Sequence, residues 1–241
     1  MAYDFLGLVN DVNKRVNEVQ LSTSNFASAN GFYGLARDSI NSSLRNINQF
    51  AYEWPFNHVE YTQTFTAGTN RYSYPADTKT VDFDSFRVKR SSTFNNETSK
   101  LKIISYEDYL EKFIDDEYNT TNTSIRTLPR FVFRTPDQNY GVHPIPDQAY
   151  ELVFEYYRLP VDLQNHSDVP VVPEQFRSVI VDGAMYYVYL FRGNTQDAAV
   201  SKELFDAGIK SMRSIYINRY DYVRDTRVSD TIGSTNYMRT R

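Results

Sequence analysis

Between Pro173 and Tyr220 the apolar residues recur at steps of three and four, a period that helices satisfy and strands do not. Phe176, Val179, Ile180, Gly183, Ala184, Tyr187, Val188 and Phe191 fall on one face of a first helix. Leu204, Phe205, Gly208, Ile209, Met212, Ile215 and Tyr216 do the same on a second. Pro173 suits an opening turn, where its missing N–H costs nothing, and Glu174 complements the positive helix start. Gly193 can take the left-handed backbone that ends a helix, and Asn194 or Thr195 can cap the next one. Gly183, Ala184 and Gly208 interrupt bulky stripes with small side chains. The expectation is a closely packed core hairpin.

The same period appears at the N-terminus. Phe5, Leu8, Val9, Val12, Val16 and Val19 predict a helix over 5–19, closed by the polar run LSTSN. Tyr33, Ala36, Ile40, Leu44, Ile47 and Ala51 predict a second over 27–52, ended by Trp54-Pro55 because a residue before proline is pushed out of the helical region.

After Pro55 the period drops to two. His58–Phe65 alternates, Ala67-Gly68-Thr69-Asn70 reads as a turn, and Arg71–Tyr74 reads as the returning strand of a hairpin. Further strands are expected at 81–89, 101–104, 129–134, 141–143 and 150–158; in the last, Leu152, Phe154 and Tyr156 share a face. Ser105–Asp108 resembles a capping box and introduces a short helix carrying Tyr109, Leu110 and Phe113. The polar segment 115–127 predicts a loop, and 159–170 returns the chain to the helices. The fold class is therefore α+β: a four-helix bundle (1–54 and 171–221), an inserted antiparallel β module (55–170) and an extended C-terminal arm (222–241).

A chain of 241 residues can bury a sizeable core, and with 20 Tyr and 16 Phe at a mean hydropathy of -0.56 it predicts broad amphipathic surfaces. There is no Cys, which excludes disulfides, thiolate metal sites and a Cys nucleophile. No stretch is long and apolar enough to span a bilayer and no signal-peptide layout opens the chain, so no membrane partner is expected. Asn-x-Ser/Thr sequons such as the one at Asn41 are, in so Asn- and Thr-rich a chain, expected by chance.

Signals for chemistry are thin. His58, His143 and His166 stand apart, without acidic or imidazole neighbours at metal-ligand spacing. Glu107, Asp108 and Glu111 could in principle serve as the acid and base of a glycan or peptidoglycan hydrolase, though such a run is ordinarily a solvated face. No phosphate-cradling glycine loop or serine elbow occurs, and neither a cofactor nor a metal is expected.

The net charge of -4 is unevenly spread, for residues 210–241 hold seven Lys/Arg against three Asp, a local +4 that leaves -8 on the rest. Tyr216, Tyr220, Tyr222 and Tyr237 interleave there with Arg213, Arg219, Arg224 and Arg227. That mixture suits a nucleic-acid-binding accessory factor, and equally a protein interface, which the acidic body favours. The arm is expected either as a free end or as a segment that orders on binding, anchored by Tyr222, Val223, Ile232, Tyr237 and Met238 and steered by its arginines.

Two phrases, YEWPFNHVEYTQTFTAGTNRYSYPAD (52–77) and LPVDLQNHSDVPVVPEQFRSVIVDGAMYYVYLFRGNTQDAA (159–199), resemble tailed-phage head-to-tail adaptors, the tail tubular protein A and gatekeeper-like group of short-tailed phages. They match the tryptophan that closes the helical part, the threonine-rich hairpin ending in Tyr-x-Tyr-Pro-Ala-Asp, and Pro-Glu-x-Phe opening a helix with Gly-Ala near its middle. The resemblance implies a structural virion protein without turnover, a ring usually of twelve copies beneath the portal at the head-tail junction, made in the host cytoplasm. It further implies partners in the portal protein, a tail nozzle or tube protein and neighbouring copies, with genomic DNA passing through unread. Tyr220, Tyr222, Arg224, Arg227, Ile232, Tyr237, Met238, Arg239 and Arg241 are the residues expected to touch the portal or a neighbouring subunit.

Overall fold

The computed structural model describes residues 2–217 apart from 51, 90–96, 120 and 122. The chain is a mixed α+β protein made of two compact units, one comprising the chain up to Phe56 and from Pro160 onward, the other Asn57–Leu159. Among the described residues there are six α-helices and two four-stranded sheets.

In the helical unit, α1 (Phe5–Arg15) starts where Asp4 accepts a hydrogen bond from the Gly7 N–H at 2.7 Å. It stops short of Val19 because Asn17 takes a left-handed φ of 57° and the Glu18 N–H closes onto the Asn13 carbonyl at 2.8 Å. Helix α2 (Phe32–Gln49) is shorter than its periodicity predicts at both ends. Upstream, Asn25 ties the Ser22 N–H at 2.7 Å into a turn and Gly31 has a φ of 59°. Downstream the backbone extends at Phe50, and Trp54 folds back to donate from Nε1 to the Ile47 carbonyl at 2.8 Å. That bond satisfies one of the carbonyls that a helix end leaves orphaned.

Helix α5 (Arg177–Phe191), entered through a single 3-10 turn at Glu174–Phe176, is the centre of this unit. Its sequence predicts one apolar face, yet Val181 and Met185 are buried as well as Val179, Ile180, Gly183, Ala184 and Val188. A helix packed by neighbours on several sides needs apolar residues nearly all round; α5 touches α1, α2 and α6 (Thr195–Tyr216). Gly193, at φ 74°, turns the chain, and the Asn194 side chain caps α6 by accepting from the Asp197 N–H at 3.2 Å. A Cβ on Gly208 would lie 2.7 Å from Val179, which is why the second helix can lie so close to the first.

The segment 160–172 is bound to this unit rather than free. Asn41 grips Leu163 by two hydrogen bonds of 3.0 Å, Arg45 pairs with Asp162, and the N–H groups of Phe5 and Leu6 donate to the carbonyls of Asp168 at 2.8 Å and His166 at 3.0 Å. The sequon asparagine at 41 is thus spent on an internal contact.

In the second unit the first sheet has the order β1 (His58–Thr64), β8 (Glu151–Arg158), β3 (Thr78–Lys89), β4 (Thr98–Lys100), with all neighbours antiparallel. The other has the order β2 (Arg71–Ser73), β7 (Asn139–His143), β6 (Phe131–Arg134), β5 (Lys102–Ile103), in which β5 and β6 run parallel. The entry and exit strands pair directly, His58 opposite Tyr157. Leu152, Phe154 and Tyr156 are buried on one face of β8, as their alternation predicts. They meet Phe86 of β3 and Tyr140 of β7, with Phe86 and Phe154 stacked at 4.5 Å and Tyr140 5.6 Å from Phe154, so one aromatic core joins both sheets.

The predicted hairpin 58–74 does not form. β1 and β2 belong to different sheets, because the Phe65 N–H donates to Tyr150 at 2.8 Å while the Asn70 carbonyl accepts from Val142 at 2.8 Å. The intervening turn, with Gly68 at φ 80°, carries the chain from one sheet to the other. Ser105 caps α3 (Tyr106–Lys112) by accepting from the Asp108 N–H at 3.0 Å. The segment expected as a loop at 115–127 overlaps α4 (Ile114–Tyr118), tied down where Glu117 accepts from Tyr109 at 2.7 Å and from Arg71 at 2.9 Å.

Candidate functional site

On the helical unit, α2, α5 and α6 border a cleft of about 420 Å³ lined by Asn46, Gln49, Phe50, Tyr186, Lys202 and Asp206, with Gly183 and Phe205 at its base. Its shape follows from the sequence. Gly183 keeps α5 flush with Ser43 and Phe205, while Tyr186 and Tyr187, at 5.1 Å and edge to face, stand above it. Asn46 fixes Tyr187 by donating to its hydroxyl at 2.7 Å, and the Lys202 ammonium stands 5.8 Å from the centre of the Tyr186 ring. Aromatic rings held in place beside a cation and a carboxylate are the composition of a binding surface, and the cleft offers no paired nucleophile and base. Nearby on the same helices, Phe191, Val200 and Leu204 are exposed at 65%, 56% and 53%. The periodicity of α6 places Leu204 and Ile215 on its apolar stripe, yet both are exposed; the buried line runs instead through Ala198, Ser201, Phe205, Ile209 and Met212.

The end of α6 is anchored. The Tyr216 ring packs edge-on against Phe56 at 6.0 Å and Phe176 at 5.7 Å, its hydroxyl accepts from Gln175 at 3.0 Å, and Arg213 lies 5.0 Å above the Tyr52 ring. Two members of the aromatic and basic series at 213–237 are therefore engaged within the unit. Other arginines of this unit are paired as well: Arg15 with Asp182, Arg177 with Asp11 at 2.6 Å and Arg192 with Glu18 at 2.7 Å. The predicted contact residues Tyr220, Tyr222, Arg224, Arg227, Ile232, Tyr237, Met238, Arg239 and Arg241, and the arm 222–241 that carries them, lie outside the described residues.

Residues 3–230 match the family model described as SU10 adaptor protein. The chain belongs to the SU10 adaptor protein family. This agrees with its resemblance to phage head-to-tail adaptors and makes it a structural virion component, associated with head and tail parts at their junction. Comparison with curated proteins returned no match.

An adaptor acts by binding, and in this SU10 adaptor family member Asp108 and the three histidines have structural partners. Asp108 accepts from Lys112 at 2.8 Å and Ser105 at 2.8 Å, contacts that hold its carboxyl below the usual range, the opposite of what a general acid requires. Glu107 and Glu111 are exposed on the same short helix. His58 pairs with Glu155 at 3.1 Å, and His166 packs edge-on against Phe26 at 6.5 Å. His143 is stacked on Phe113 at 4.2 Å; burial lowers its pKa, against the pull of Asp116 at 3.8 Å. Among the described residues no group of His, Asp and Glu could hold a metal ion, and no helix is long and apolar enough to cross a membrane. Sequence reasoning missed the cleft, whose one legible signal was the pair Tyr186-Tyr187 one helical turn after the small residue Gly183.

Proposed function

We propose that the chain is a head-to-tail adaptor whose copies form a ring, of twelve as the resemblance implies, beneath the phage portal, joining capsid to tail and extending the DNA channel. The observation that carries this reading is the SU10 adaptor match over residues 3–230. In this reading α1, α2, α5 and α6 act as a four-helix bundle facing the portal and neighbouring copies, with the cleft beside Tyr186 available to a neighbour. The β unit faces the tail nozzle or tube. The anchored end of α6 aims the basic arm 222–241 along the portal, where Tyr222, Ile232, Tyr237 and Met238 supply apolar anchors and Arg224, Arg227, Arg239 and Arg241 supply steering. The acidic body repels phosphates, which lets genomic DNA slide past without sticking.

Electron microscopy of the protein mixed with its purified portal tests the reading. A ring of adaptor density added to one face of the portal is the expected result. Portal particles that remain bare at saturating protein would overturn it.

A further inference from the structure

Strand β3 has one edge that, among the described residues, no strand covers over its first half. Its inner edge pairs with β8 from Thr78 to Asp82, whereas β4 reaches its outer edge only at Arg87–Lys89. Between the two halves the ladder is broken: Asp82 accepts from the Asp84 N–H at 2.9 Å, and Ser85 occupies the ladder by accepting from the Glu155 N–H at 2.8 Å. The open stretch is thus five residues with a defined end, about 17 Å at the rise of an extended strand. It borders a groove of about 450 Å³ lined by Thr78, Lys79, Thr80 and Val81 on one side and by Tyr74, Arg134 and Asn139 on the other. Both residue parities of β3 line this groove, as they do when a strand presents its edge rather than a face.

The charge of the groove is one-sided. Lys79 and Arg134 line it, and among the described residues no carboxylate does. The neighbouring carboxylates are engaged elsewhere, Asp77 by the Tyr156 hydroxyl at 3.0 Å and Asp137 by Thr135 and Asn139. Arg134 is exposed, makes no ion pair among the described residues, and stands close enough to Tyr74 to oppose the burial that pushes its phenol up to about 12. An open edge guarded by cations disfavours indiscriminate strand pairing, and it selects for a strand of opposite charge.

We propose that this groove receives an extended acidic segment of a partner protein, which adds as a strand to the open edge of β3 and sets a carboxylate against Arg134. Main-chain hydrogen bonds along Thr78–Asp82 supply affinity and the Arg134 guanidinium supplies selectivity, the division of labour of strand addition. The inference concerns the β unit alone and does not depend on ring formation, so its failure would leave the adaptor reading untouched.

The test pans the full chain against a library of random octapeptides, with Arg134→Glu as the counter-selected variant. The substitution is at an exposed side chain, and an unchanged melting midpoint checks that the fold survives. Recovered peptides are expected to carry Asp or Glu at alternate positions, to bind the variant at least tenfold more weakly, and to slow amide exchange at Thr78–Asp82. Recovery of no peptide, of peptides without acidic bias, or of peptides that protect another segment would overturn the proposal. An oligothymidylate that protects Thr78–Asp82 and displaces the peptides would reassign the groove to nucleic acid.

Discussion

The Cβ position that Gly183 lacks lies 2.3 Å from the Ser43 hydroxyl, closer than any real side-chain carbon approaches an oxygen, with Phe205 only 2.7 Å away on the other flank. Helices α2 and α6 thus close on α5 at one residue. Gly183→Leu is expected to overpack this junction and cost about 1 to 3 kcal/mol, read as a fall in the denaturant midpoint. Gly183→Leu combined with Phe205→Ala should recover part of the loss, since the two sites share the same space. An unchanged midpoint in the single variant would remove the contact from the account.

A second prediction concerns Trp54, fully buried with its indole stacked on Phe56 at 5.6 Å. Trp54→Phe keeps an aromatic ring but leaves the Ile47 carbonyl without its donor, and a buried acceptor stripped of its partner costs about 1 to 3 kcal/mol. Equilibrium unfolding followed by circular dichroism measures it. A loss well under that range would mean that water reaches the carbonyl.

What the sequence made legible was whatever repeats over many residues. The α5–α6 pair, the close approach at Gly183 and Gly208 and the buried face of β8 all follow from periods sustained over several turns or strand steps, and the Asn194 cap from its own side-chain chemistry. What it hid depends on single distant partners. Ala67-Gly68-Thr69-Asn70 is a sound local turn signal, yet Tyr150 and Val142, far along the chain, decide that its two sides enter different sheets. Helix α4 is only five residues long, below what periodicity can register, and is held by Arg71 and Tyr109 through Glu117. The cleft is assembled from three helices, so no single stretch announces it.

The Glu117 cluster gives a prediction with a pH dependence. Burial raises the Glu117 pKa, but the hydrogen bonds from Arg71 and Tyr109 outweigh it and hold the carboxyl below the usual range. The unfolded chain therefore binds the proton more readily, and the cluster's stabilisation is complete above the ordinary carboxylate range and lost as pH falls through the lowered folded value. Glu117→Gln should melt below the parent at neutral pH, with the gap narrowing in acid. A gap that stays constant from pH 7 to about pH 3, across the ordinary glutamate range, would show that the charge is not what stabilises the cluster.

Asn41 holds Leu163 through both ends of its side-chain amide, Nδ2 donating to the Leu163 carbonyl and Oδ1 accepting from its N–H, and Leu163 is itself part of the helical core. Asn41→Ala should therefore loosen 160–172 before it affects α5 and α6. Native-state hydrogen exchange is expected to show faster exchange at Leu163, with amides of α5 such as Ile180 unchanged. Faster exchange throughout the helical unit would mean that the segment is integral to its cooperative core.

The last prediction separates the arm from the body that carries it. Tyr216 is packed against Phe56 and Phe176 and bonded to Gln175, so the helical unit is closed before the chain reaches Tyr222. Truncation after Tyr222 should leave the unfolding free energy within about 0.5 kcal/mol of the parent, the usual effect of changes away from buried features. If the arm is the portal contact, the truncated protein should no longer co-sediment with portal rings, and restoring the arm with Arg224, Arg227, Arg239 and Arg241 changed to Glu should not rescue it. Stoichiometric co-sedimentation of the truncated form would transfer the docking role to the folded units, and the cleft beside Tyr186 would become the first surface to mutate.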